Sequence, residues 1–427
     1  MLIEGGRLNS VNIAIRITTG ILVSKFIAIY LGPSGMALVG NLRNFLTAIQ
    51  TFAISGLYKG FVKLISTFKT DAVELSKTLS TVFYFGYFTS VGLAFVCYYN
   101  AEFISSVLFS DAYRFAYVIE TMALVLPLYA LNMFAFSIMN GFAKYKILII
   151  INSIGQILGL LVTLLLIWQE RIDGALIALV VVPALNLLIT LVGIAFRKSF
   201  VSAIHISKMS LGILTTLSPY MVMALVSAIA LPIVSIIIRN YLTSEIGITE
   251  AGYWTAVTRV SDYYLIIINS ILSLYILPRF SEINSKEEFS KEVFQFYKTV
   301  IPTFGAILFA IYLGRSLLVT LLFSSEFQPA ADLLGFQILG DFMRVLAMVI
   351  AYQFLAKKMF MHFIILEIFL FIMLYVSSTS FIDIFGLKGA VMGHCLSYFM
   401  YLGILLLIFR SSLFGVLSEE PNDNFKT

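Results

Sequence analysis

"YLGPSGMALVGNLRNF", Tyr30 to Phe45, is the stretch whose reading decides the fold. Two apolar runs meet at a Gly-Pro-Ser-Gly turn, and the second carries an arginine, Arg43, about two helical turns in. Gly and Pro punctuate helices. The runs on either side, near 11 to 31 and 36 to 58, each supply the roughly 20 residues a helix needs to cross a bilayer core about 30 Å thick. The stretch reads as the turn of a helical hairpin inside a membrane, with a cation placed where cations are costly.

The remainder of the chain repeats this pattern. Of 427 residues, 60% are hydrophobic and 12% charged, with a mean hydropathy of +0.97, whereas a soluble domain is roughly 25% charged. A backbone in lipid must satisfy its own hydrogen bonds, so the spans are helical. Further apolar runs lie near 78 to 98, 116 to 139, 147 to 168, 174 to 196, 211 to 238, 252 to 278, 298 to 323, 331 to 356, 359 to 378 and 387 to 409. An all-α polytopic membrane protein of about 12 transmembrane helices is expected. The polar link "RKSFVSAIHISKMS" follows the sixth run. It divides the chain into an N-terminal six-helix bundle, residues 1–198, a cytoplasmic linker, 199–210, a C-terminal bundle, 211–410, and a cytoplasmic tail, 411–427. "PSGMALVGNLRNF" and "EAGYWTAVTRVSD" open the second and eighth runs with glycine, small residues and then arginine. This faint echo points to duplication, and parallel repeats place a central cavity between two bundles near the midplane.

Lysine and arginine in short loops resist translocation. With a cytoplasmic N-terminus, eighteen fall in inner segments and four, Arg114, Arg171, Arg239 and Lys388, in outer ones. Both termini are therefore expected in the cytoplasm. The polar lead and long first run read as a retained span, not a cleaved signal. Cys97 and Cys395 sit apart in apolar runs and read as packing residues, not as a disulfide or zinc pair. The scattered basic residues exclude a nucleic-acid surface. There is no Walker loop, nucleophile elbow or HExxH motif, so neither an enzyme nor a cofactor is expected. "GQILG", Gly155 to Gly159, suits close helix packing.

A charge at the bilayer centre costs about 2.5 to 3.5 kcal/mol on insertion scales, so each is a functional hypothesis. The first half carries Arg16, Lys25, Arg43 and Glu120; the second carries Arg259, Asp262, Arg315, Asp341, Arg344 and Glu367. Lys25 and Arg43 flank the quoted turn too deeply for easy snorkelling, whereas Arg16 is close enough to a membrane face to snorkel. Arg16 and Lys25 are nine apart, half a turn out of phase; either the helix bends near Gly20 or they serve different sites. Cations in a midplane cavity suit an anion, and a guanidinium matches phosphate oxygens with a forked pair of hydrogen bonds. "RVSD" and "DFMR" each set a carboxylate three residues from an arginine, a spacing that permits self-neutralisation. A carboxylate facing a cavity can instead take up a proton or sodium ion, which makes Asp262 and Asp341 the ion-coupling candidates.

"VSKFIAIYLGPSGMALVGNLRNFLTAI", "SPYMVMALVSAIALPIVSIIIRNYL", "VSDYYLIIINSILSLYILPRFS" and "FQILGDFMRVLAMVIAYQFLAKKMF" resemble the Wzx-type lipid-linked oligosaccharide flippases, most of all those handling enterobacterial common antigen. The wider superfamily includes MATE-type multidrug exporters and the lipid II flippase. The resemblance implies movement of an undecaprenyl-pyrophosphate-linked repeat unit from the cytoplasmic to the periplasmic leaflet of a bacterial inner membrane, by ion-coupled alternating access. Matching substrate-binding positions are Arg16, Lys25, Arg43, Arg239 and Arg344, with Arg16 and Arg344 replacing lysines. Asp262 and Asp341 also match, whereas Arg259 departs from the pattern and joins the substrate group on its charge alone. The implied partners are the lipid-linked oligosaccharide and membrane lipid, with a polysaccharide polymerase and a chain-length regulator as further candidates. The alternatives are a MATE-like cation-coupled exporter of another amphiphile and a membrane glycosyl-transferring polymerase. First-half cations disfavour the exporter, and short outer loops disfavour the polymerase.

Overall fold

Residues 2–54, 56–110, 113–194 and 204–415 are described by the structure, a computed structural model. No strand occurs among them. Ten helical stretches are long and apolar enough to cross a membrane. Two of these, Asn9–Ala53 and Tyr145–Gly193, run 45 and 49 residues, about 70 Å at ~1.5 Å per residue and more than twice a bilayer core. Each contains one residue off the helix: Gly32 (φ 64°, ψ −168°) in α1, Leu2–Ala53, and Arg171 (φ 54°, ψ −120°) in α6, Tyr145–Ile194.

In α6 the glycines show what that residue does. A Cβ added to Gly174 would lie 1.9 Å from the Leu166 carbonyl oxygen, one on Gly159 would lie 2.6 Å from Val182 Cγ1, and one on Gly155 would lie 2.2 Å from Asn186 Oδ1. These pairings step away symmetrically from Arg171, as the two arms of a hairpin do. The "GQILG" motif thus serves packing. With both long stretches counted as two passes, the ten are consistent with the twelve expected.

The second half repeats the device. Between α7, Leu211–Glu245, and α8, Ile248–Ile271, the chain turns at Gly247 (φ 149°). Between α15, Phe360–Phe385, and α16, Leu387–Ile408, it turns at Gly386 (φ 61°, ψ −141°). Gly247 follows Gly32, and Gly386 follows Arg171, by the same 215 residues. The duplication suggested by two short segments is therefore written in the turns of both halves.

The chain divides into two compact units, Met1–Ile236 and Ile237–Thr427. That division falls inside α7. The first unit holds α1, the short amphipathic α2, Tyr58–Phe68, α3, Ala72–Tyr99, α4, Ala101–Phe109, α5, Ala116–Gly141, and α6. Packing holds the start of α7 to the first unit. Ile213 and Leu217, early in α7, join the core of Phe61, Ile65, Leu79 and Ile138. The approach to α7 is pinned to α3 by His205 N donating to Ser80 Oγ (3.0 Å), Lys208 Nζ to Ser76 Oγ (3.0 Å) and Ser210 N to Thr81 Oγ1 (2.9 Å). Linker residues 199–203 and tail residues 416–427 lie outside the described residues.

The second unit continues α8 through a π-helical turn, Leu272–Ile276, into α9, Leu277–Glu282. Then come α10, Lys286–Thr299, capped by Ser285, and α11, Ile301–Leu313, opened by Pro302. Next are α12, Arg315–Leu322, α13, Gln328–Ala331, α14, Leu334–Ala356, α15, α16 and α17, Arg410–Phe414. Phe280, Phe289, Phe354 and Phe409 form a ring-on-ring core with centroids 5.1 to 5.5 Å apart. Arg315, expected inside a span, instead starts α12 after Gly314 caps α11, and its guanidinium donates to Tyr312 O.

Candidate functional site

The most polar buried place in the second unit is centred on Asp341, whose side chain is 0% exposed. Gly340 makes it possible. A Cβ there would sit 2.5 Å from His394 Cδ2 and 3.0 Å from Cys395 Cα, so only glycine lets α14 and α16 approach closely enough for His394 to reach the carboxylate. Asp341 Oδ2 accepts from Ser261 Oγ and Tyr264 OH, both at 2.5 Å, and from Gln337 Nε2 at 3.2 Å. Oδ1 lies 3.1 Å from His394 Nε2. An isolated buried carboxylate is costly unless donors replace its water. Here three helices, α8, α14 and α16, deliver four partners to one group.

The two three-apart pairs expected from sequence separate at this point. Arg259 and Asp262 do pair, Nη1 to Oδ2 at 3.4 Å, with Asp262 55% and Arg259 18% exposed; Arg259 also lies over the Tyr263 ring, 5.2 Å from its centroid. Asp341 and Arg344 do not form the direct pair that their spacing permits. His394 takes the ionic place beside Asp341, while the Arg344 guanidinium lies 5.3 Å from the Tyr398 ring centroid. The Tyr398 ring in turn meets His394 edge-on at 4.8 Å.

Arg239, placed in an outer loop by hydropathy, is 3% exposed inside α7. The apolar run ends near it, but the helix continues because the guanidinium is accommodated: Nε donates to Thr255 Oγ1 at 2.8 Å and the group lies 5.2 Å from the Trp254 ring centroid. Removing Arg239 from the outer loops sharpens the charge asymmetry.

In the first unit, α1 stays helical through Gly20, so Arg16 and Lys25 keep their half-turn offset and the structure does not bring them to one face. Arg16 is exposed, and Lys25 and Arg43 are half-buried. Lys25 precedes Gly32 by seven residues and Arg43 follows it by eleven, about 10 and 16 Å from the turn along opposite arms. An apolar cleft in this unit is lined by residues such as Tyr58, Phe61, Phe83, Tyr87 and Phe134, with no charged group. Among the described residues, no three His, Cys, Asp or Glu side chains gather as metal ligands.

Sequence reasoning had Asp341 but missed Ser261, Tyr264, Gln337 and His394 around it. A histidine within an apolar span was itself a signal, since such residues are rare in lipid. Its partner could not be read from spacing because it lies 53 residues away.

A family profile described as "Polysaccharide biosynthesis protein" matches residues 27–332. Curated relatives named Lipid III flippase, from Escherichia coli (strain K12) and Shigella flexneri, are each 28% identical over 397 residues, covering 92% of this chain and 95% of theirs. Among solved structures, an inward-facing multidrug resistance MATE family transporter of the MOP superfamily superposes with a TM-score of 0.75 at 16% identity, covering 94% of this chain and 96% of that one. The inward closed lipid II flippase MurJ gives 0.71 at 14%, covering 96% and 90%. The fold is that of these transporters, as the Wzx resemblance implied. With a profile spanning well over half its length, the chain belongs to the polysaccharide biosynthesis protein family.

Proposed function

We propose that this chain is a flippase that moves an undecaprenyl-pyrophosphate-linked oligosaccharide unit, of O-antigen or enterobacterial common antigen type, from the cytoplasmic to the periplasmic leaflet. The observation that carries the reading is the alignment with the Lipid III flippases, which takes in nearly the whole of both chains. Physical features support it. The cations Lys25 and Arg43 stand on the two arms of the Gly32 hairpin, where a pyrophosphate can be held while the polyprenyl tail stays in lipid. The 215-residue recurrence of turns supports two bundles, 1–198 and 211–410, working by alternating access. Asp341, buried among donors on three helices, is the ion-coupling group; Asp262, exposed and paired with Arg259, is a structural partner.

The lysine and arginine bias supports an inner-membrane protein with both termini in the cytoplasm. A polymerase and a chain-length regulator are the expected downstream partners, because a flipped repeat unit must be consumed on the far side. The test is translocation of a defined polyprenyl-pyrophosphate oligosaccharide in proteoliposomes, read by accessibility of the sugar to a membrane-impermeant reagent. Protein-dependent exposure is expected. Export of a cationic amphiphile without any movement of the lipid-linked sugar would overturn the reading.

A further inference from the structure

The neighbours of Asp341 bear on which ion it binds. A sodium ion needs several oxygens to replace its hydration shell. Asp341 already faces two hydroxyls, an amide nitrogen and an imidazole nitrogen. Two of those four neighbours are nitrogens, Gln337 Nε2 and His394 Nε2, standing where a hard cation would need oxygen. A proton needs only one oxygen and an acceptor beside it.

His394 Nε2 has that geometry. It lies 3.1 Å from Asp341 Oδ1 and 3.3 Å from Gln337 Nε2. When Nε2 carries a proton, it donates to the carboxylate; when bare, it accepts from the Gln337 amide. Nε2 thus has a partner in either state. Asp341 is fully buried, while His394 is 15% exposed, and an imidazole can accept a proton at one ring nitrogen as it gives one up at the other. We propose that His394 is the port through which Asp341 is loaded, and that the ion bound by this unit is a proton shared by the His394–Asp341 pair. This rests on the reading of the chain as an ion-coupled flippase.

Loading balances as follows. With Asp341 ionised, His394 is neutral and carries its proton on Nε2. A proton arriving at Nδ1 makes the imidazolium; the Nε2–H bond then breaks as an O–H bond forms at Oδ1. The pair ends as a neutral carboxyl and a neutral imidazole protonated at Nδ1, with one proton gained. Other groups facing the pair are Tyr264 from α8, Arg344 from α14, Glu367 from α15, which senses Arg344, and Cys395 and Tyr398 from α16. Loading removes the negative charge beside Arg344 and leaves that cation freer to attract an anion, which links proton and substrate electrostatically.

The test is proton uptake by the purified, solubilised full chain between pH 8 and pH 5.5, read with an indicator dye. The double variant Asp341→Asn with His394→Gln should take up about one proton fewer than wild type, whereas each single variant should keep that uptake but at a shifted pH, because coupled groups titrate as a pair. Wild-type uptake by the double variant, or single-variant curves that coincide with wild type, would overturn the shared site. Variant folding does not limit the second measurement: in wild type, replacing choline chloride with sodium chloride at equal ionic strength should leave the uptake curve unmoved. A sodium-dependent shift of tenfold or more in proton affinity would assign the site to sodium. Neither result depends on flipping, so a chain that fails to translocate the lipid-linked sugar yet shows the paired uptake would sink the flippase reading alone.

Discussion

The guanidinium of Arg171 lies over the ring of Tyr30, 4.8 Å from its centroid, tying the turn of one hairpin to the arm that runs into another. Arg171 holds φ 54° and ψ −120°, a backbone region that costs a residue with a Cβ about 1 to 3 kcal/mol, while an exposed cation–π contact returns about 0.5 to 1 kcal/mol. Its counterpart 215 residues on is a glycine, Gly386. Arg171→Gly should therefore be at least as stable as wild type, and Arg171→Ala, which keeps the strain and loses the contact, less stable by about 0.5 to 1 kcal/mol. Thermal unfolding in detergent ranks the three; Ala above Gly would contradict a strained turn.

Close helix approach makes a second prediction. A Cβ on Gly393 would meet Ser378 Cα at 2.5 Å, and one on Gly389 would meet the Phe381 carbonyl carbon and oxygen at 2.1 Å, whereas Gly403 has open space. Backbone cannot rotate aside as a side chain can. Gly393→Ala should cost about 1 to 3 kcal/mol through overpacking, and Gly403→Ala should be neutral or gain up to about 1 kcal/mol of helix propensity. Equal melting temperatures for the two variants would refute the tight α15–α16 contact.

The buried Arg239 makes a third. Thr255→Val deletes the acceptor of its Nε–H, and a hydrogen bond to a charged group is worth about 1.5 to 3 kcal/mol. A loss of that size is expected in wild type and a much smaller one in an Arg239→Met background. Equal losses in both would mean that Thr255 matters through packing alone.

For transport, Lys25→Ala and Arg43→Ala should insert normally yet lower flipping at least tenfold, with the double variant little worse because one anion is shared. Arg43→Lys keeps the charge without the fork and should retain intermediate activity. Accumulation of lipid-linked oligosaccharide in the cytoplasmic leaflet, at matched protein level, is the readout. Wild-type flipping by Arg43→Ala would remove the phosphate role from this arginine.

How far the sequence carried differs by feature. The spans were legible because hydropathy and helix length are local, and the Gly-Pro turn at 32–33 announced its hairpin. Arg171 announced nothing: an arginine in a left-handed turn follows no composition rule, and only the glycine pairings on either arm reveal the reversal. Arg239 was misplaced because a hydropathy window sees a cation and not the Trp254 and Thr255 that receive it. Asp341 stood out in the sequence as a carboxylate within a span, but its ionic neighbour did not: the three-apart spacing offered Arg344, and the structure gives it His394, because Gly340 brings another helix closer than the next turn of its own.

The equal interval between turns also acts as a ruler. Moving Lys25 and Arg43 forward by 215 lands on Asn240 and Thr258, and moving Asp341 and His394 back by the same interval lands on Leu126 and Leu179. The two halves thus share the spacing of their turns and differ in chemistry at these positions: polar uncharged residues stand where Lys25 and Arg43 would recur, and leucines where Asp341 and His394 would. Symmetry is preserved in the bends and broken in the charges at those four positions, so a substitution at one of them has no equivalent in the other half to take over its role.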